Sequence, residues 1–183
     1  MSGSDPSVPI ARADAVALGQ SRWSLDPAHS SVTFTHRTLW GLATVRGAFT
    51  DVTGEGRIDS TGSATGTLRI AAASIDTGHA RRDTHLREKG FFAAEEHPEI
   101  VFTGTRTEIA TDGRTVSITG RLSLRGRVQP LELSAALDWE TDERVVLSSA
   151  TEVDRAAFGL TSNQLGMIKG SARVSVVAAF VRQ

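Results

Sequence analysis

From Trp23 onward, apolar and polar positions alternate with a period of two, the pattern of a β-strand that buries one face and wets the other. Ser31 to His36 sets Val32 and Phe34 against Thr33 and Thr35, and Ala64 to Ala71 sets Leu68 and Ile70 against Thr65, Thr67 and Arg69. Val116, Ile118, Leu122 and Leu124 share one side of the next clear run. Leu131, Leu133, Ala135, Leu137 and Trp139 share a parity across Pro130 to Glu140, as do Ala172, Val174, Val176, Ala178 and Phe180 in the last segment. Gly54, Gly56, Gly62, Gly113 and Gly126 punctuate the pattern and read as turns in an antiparallel meander of about eight strands. The main interruption, Thr77 to Phe92, suits a helix ended by Gly90. Many even strands and one helix predict an all-β fold, an antiparallel barrel with the helix over or beside its mouth, because closure removes the exposed edges of a sheet. A barrel of about eight strands has room for one small ligand.

Composition fits one domain. The chain has 183 residues, 39% hydrophobic and 22% charged, enough apolar surface for a sizeable core. Residues Met1 to Ser21 lack sustained periodicity and read as a flexible arm ahead of a domain over 22–183. A net charge of -1 supplies no field for phosphate backbones, so nucleic acid is not expected as a partner. Cysteine is absent, which excludes disulfides, thiolate metal sites and a cysteine nucleophile. The longest apolar run before Trp23 is Ala15 to Leu18, shorter than the about 7 residues a signal-peptide core needs, so a cytoplasmic location is expected. No stretch approaches the roughly 20 apolar residues of a spanning helix, and stable membrane insertion is not expected.

Several segments together resemble the YceI family. They are Trp23-Ser24-Leu25-Asp26-Pro27-Ala28-His29-Ser30 followed by Val32, Phe34 and His36; Val45-Arg46-Gly47-Ala48-Phe49; Ala73-Ser74-Ile75-Asp76-Thr77-Gly78; Arg82-Asp83-Thr84-His85-Leu86; Phe91-Phe92; and His97-Pro98-Glu99-Ile100-Val101-Phe102. Gly120 to Gly126 and Arg155 to Leu160 are similar to later family segments. The resemblance, which runs from Trp23 to Phe180, implies a bacterial, lipocalin-like barrel that binds a polyisoprenoid-type or isoprenoid-quinone-like lipid. Ala156 and Ala157 stand where relatives carry polar residues, which predicts a more apolar cavity wall at that point.

Candidate contacts follow from parity and spacing. His36 shares the parity of Val32 and Phe34, so its imidazole enters the interior, there to bond either a ligand head group or a backbone carbonyl. His29, in a turn beside Pro27, is expected to brace that turn. Arg82 and His85 lie three apart on one helical face, suited to an anionic or carbonyl oxygen, whereas Asp83 is rotated by about 100° and suits a cap or a pair with Arg87. Trp40, Phe49, Phe91, Phe92, Phe102, Phe158 and Leu160, with Leu39, are candidates for an apolar lining or for ordinary core. No histidine pair has metal-site spacing and no nucleotide or hydrolase motif is present, so neither a metal nor a cofactor is expected. Three functions remain open at this point: a carrier of a lipophilic small molecule, a cyclase or isomerase using a cavity histidine, and a homodimeric interaction module using aromatics around Trp40.

Overall fold

The apolar parity of each run becomes the concave side of one antiparallel sheet. A computed structural model of the chain describes residues 20–38, 43–160 and 170–183. Strands β1 (Ser21–Leu25), β4 (Val52–Ile58), β5 (Ala64–Ala71), β7 (Glu99–Ile109), β8 (Thr115–Leu124), β9 (Arg127–Thr141), β10 (Arg144–Asp154) and β11 (Ser171–Arg182) are hydrogen-bonded in that order. The ring closes because β11 returns to β1, with Phe180 opposite Leu25 and Arg182 opposite Trp23. The fold is an eight-stranded closed barrel.

One end of the barrel is built higher than the rest. The first half of β11 pairs with β2 (Ser31–Thr38), Val174 opposite Phe34, and β2 in turn pairs with β3 (Ala43–Phe49). A two-residue strand β6 (Ile75–Asp76) edges β3 and leads into α1 (Ala80–Arg87). The step from β1 to β2 is a single 3₁₀ turn opened by Pro27, with Asp26 accepting from the Ala28 amide at 3.0 Å and meeting His29 Nδ1 at 2.7 Å. His29 braces this turn.

Three expectations need correcting. The helix is shorter than Thr77 to Phe92: it stops at Arg87, because Glu88 turns to an extended conformation and the chain folds under itself to bury Phe91, Ala93 and Ala94. The amides of Phe92 and Ala94 bond the last helical carbonyls, Leu86 and Arg87. Gly54 and Gly56 are interior positions of β4, not turns, whereas Gly62, Gly113 and Gly126 do turn the chain with positive φ. Ser21, assigned above to the arm, is buried in β1 and accepts a hydrogen bond from Trp23 Nε1.

Gly56 belongs to a row. It faces Gly66, Gly66 faces Gly104 and Gly104 faces Gly120, across β4, β5, β7 and β8. Bare backbone at this level lets the wall bend and gives the Phe102 ring a seat: a Cβ on Gly120 would lie 2.7 Å from Phe102 Cζ and 2.4 Å from the Thr103 carbonyl oxygen. Below the row, Trp23 meets Trp139 edge to face at 5.7 Å over Ile58 and Val145 and plugs one end of the barrel. Under α1, Ile75, Val32, Val52 and Ile70 form a densely packed second cluster.

These environments make two glycines behave oppositely. Gly120→Val should lower unfolding free energy in urea by about 2 kcal/mol or more through the clash. Gly56→Ala, whose Cβ would find its nearest neighbour at 3.5 Å, should cost less than about 0.5 kcal/mol or add stability by restricting the unfolded chain. Equal losses at the two positions would contradict the packing described.

Candidate functional site

The inward side chains do not fill the barrel. They leave a cavity of about 520 Å³, within the usual range of small-molecule sites. Its walls are aliphatic and aromatic: Leu68, Phe102, Ile118, Leu131, Leu133, Leu147, Val174 and Val176 all line it, and each remains only partly buried although its parity is inward. This volume is far larger than the few water-sized voids that close packing leaves in a protein interior. A defect of that size is not an accident of core packing.

Polar groups gather at the raised end. α1 turns one face inward, so that Arg82, His85 and Leu86, at i, i+3 and i+4, line the cavity together. The helix is fastened from outside by guanidinium groups that reach backbone carbonyls. Arg87 donates to Ala73 and Ile75, and Arg125 donates to Gly159 and Lys89. Arg82 donates through Nε to Thr77 Oγ1 at 2.7 Å and through Nη2 to the Thr77 carbonyl at 2.8 Å. Thr77 in turn donates its amide and its hydroxyl to Asp83 Oδ1. Asp83 is therefore buried, holds the β6–α1 junction through Oδ1, and neither caps the helix nor pairs with Arg87.

His36 stands on β2 with both ring nitrogens engaged. Nδ1 lies 3.3 Å from the Ser171 carbonyl and Nε2 lies 3.4 Å from an Arg155 Nη1. A carbonyl can only accept and a guanidinium can only donate, so the ring is neutral and carries its proton on Nδ1. Burial, and secondarily the Arg155 charge, hold its pKa below the ordinary imidazole value. Burial alone also lowers the pKa of Arg155, which stays charged.

Most of the aromatic candidates line the cavity. Phe49, Phe91, Phe92, Phe102 and Leu160 are on its wall with His36, Arg82 and His85. Phe34, Phe49 and Phe92 make a continuous stack with centroid separations of 5.7 Å, and Phe91 meets His85 at 4.9 Å. Phe158 does not line it: the residue is 4% exposed, stands on the 3₁₀ turn Ala156–Phe158 and packs in the same core cluster as Leu160. Ala156 and Ala157 also lie off the cavity, so they do not make its wall more apolar. Trp40 and Leu39 fall outside the described residues. Arg155 was missed, although its parity with Leu147, Ser149, Thr151 and Val153 along β10 carried the signal.

Because the folded-state pKa of His36 is depressed, protonation favours the unfolded chain. Its penalty is absent well above pH 6.5, about the unfolded value, grows as pH falls from there to the lower folded value, and levels off below it. Unfolding free energy should therefore drop on acidification below pH 6.5, and His36→Gln should flatten that part of the profile. A His36 titration by NMR at or above 6.5 would contradict this environment.

Residues 23–180 match the YceI-like domain. The chain is 30% identical over 136 residues to a UPF0312 protein of Pectobacterium carotovorum, covering 73% of this chain and 69% of that one. It is 33% identical over 117 residues to Protein YceI of Escherichia coli, 63% of this chain and 60% of the relative. Among solved structures, BcnA of Burkholderia cenocepacia superposes with a TM-score of 0.75 at 16% identity, over 85% of this chain and 98% of its own. A polyisoprenoid-binding domain from Saccharophagus degradans superposes with a TM-score of 0.73 at 18% identity, over 88% and 98%. The match along nearly the whole barrel, with the same closed architecture in the solved structures, places this chain in the YceI-like family.

Proposed function

We propose that this protein binds and carries an extended lipophilic molecule of the polyisoprenoid class inside its barrel. The observation that carries the reading is the unfilled apolar interior. Leu68, Phe102, Leu133, Leu147 and Val176 present a continuous hydrocarbon surface to a cavity of about 520 Å³ that holds polar side chains chiefly at its raised end. Such a surface recognises a chain by area, without directional contacts, at about 25 cal/mol per Å² removed from water. The polyisoprenoid-binding domain of Saccharophagus degradans, with the same fold, supports the choice of ligand class. His36 fits a binding role, since both of its nitrogens are engaged in holding protein groups.

Mass spectrometry of an organic extract of the purified protein should recover a co-purifying lipid, and the stripped protein should take up a fluorescent prenyl probe. Leu133→Trp, which puts a large side chain into the cavity, should reduce uptake at least about tenfold while the protein stays folded by circular dichroism. No lipid in the extract together with no probe uptake would overturn the proposal.

A further inference from the structure

The cavity is apolar along its walls, yet the ionisable groups that reach it are all basic. Among the described residues that line it, His36, Arg82, His85 and Arg155 are basic, and none is Asp or Glu. Arg82 belongs to the same end as His36. It is held on Thr77, whose γ-methyl sits over Gly47, and Gly47 faces Phe34, two residues from His36 along β2.

These groups differ in what already satisfies them. His85 meets Glu88 at 3.0 Å, with both side chains about half exposed, so it already has a carboxylate partner. Arg82 spends two of its donors on Thr77. The Arg155 guanidinium has no oxygen acceptor among the described residues, and its one polar contact there is with the neutral His36 Nε2 at 3.4 Å. Its neighbours on β10 give no relief. Glu152 and Asp154 have the opposite parity, are exposed, and are engaged by the Ser171 hydroxyl and the Ala156 amide. A half-buried guanidinium facing hydrocarbon without a counter-charge is costly unless a partner supplies one. His36 orients the group by accepting from one Nη and leaves its other donors for that partner.

We propose that Arg155, held by His36, receives an anionic head group, so that the ligand is a long-chain amphiphile ending in a phosphate or a carboxylate. The inference rests on the lipid-binding reading of the cavity and specifies which end of the molecule lies at the raised end of the barrel. Arg82 adds to the positive field there, while the chain runs toward the Trp23–Trp139 plug.

Calorimetric titration of the delipidated full chain with farnesyl phosphate, farnesol, palmitate and hexadecanol tests it. Each anion should bind about 10- to 100-fold more tightly than its neutral alcohol, the range expected of charge-assisted hydrogen bonds. The tighter pair identifies the chain as prenyl or fatty. Arg155→Gln should bring the anions down to the level of the alcohols and change alcohol affinity less than about threefold, and Arg155→Lys should keep part of the preference. Equal affinity of the wild-type protein for anion and alcohol overturns the head-group assignment and leaves the cavity a lipid site. A preference that survives Arg155→Gln overturns Arg155 as the receptor. Failure of all four compounds to bind folded protein overturns the cavity reading and this inference with it.

Discussion

Closure of the sheet between β1 and β11 is the constraint on which the rest of the molecule depends. Once eight tilted strands join into a ring, the width of the interior is set by strand number and stagger, and side chains must adapt to it. Here they do so unevenly. Two tryptophans, Ile58 and Val145 fill one end, and a packed cluster around Ile75 supports the helix at the other. Between them the wall carries medium aliphatics and a row of glycines, which do not reach across. The cavity follows from that choice of side chains within a fixed circumference.

The raised end solves a second problem. The short helix α1 is rich in charge and buries little apolar surface of its own, so it cannot be held over the barrel by hydrophobic packing alone. Guanidinium groups do the fastening. Arg82, Arg87 and Arg125 each donate to backbone carbonyls of the turns, loops and short strand around the helix. The same device turns Arg82 and His85 toward the interior, and β10 independently delivers Arg155 to His36. The basic character of this end thus arises partly from the way the helix is anchored.

Alternation made most of this legible in advance. β5 occupies the span its pattern predicts, β8 begins one residue before its predicted run, and β9 and β11 extend theirs by one to three residues at each end. Spacing also placed Arg82 and His85 on one face and His36 inside. What the pattern hid were features decided by partners distant in sequence. Gly54 and Gly56 look like turns locally, and only their pairing with β1 and β5 keeps them in a strand. Phe158 sits beside a glycine like a rim residue, yet it stands on a 3₁₀ turn and packs in the core. Asp83 finds Thr77 rather than Arg87 because the chain before the helix doubles back. The resemblance to YceI proteins supplied the ligand class, which no periodicity could.

Whether the interior houses the hydrocarbon chain can be measured directly. With leucine and valine methyls labelled, intermolecular NOEs from a bound prenyl chain should reach Leu133, Leu147 and Val176 inside the barrel and spare Val128 and Val177, which are exposed on its outside. Contacts confined to the outer methyls, with none to the inner three, would contradict the account.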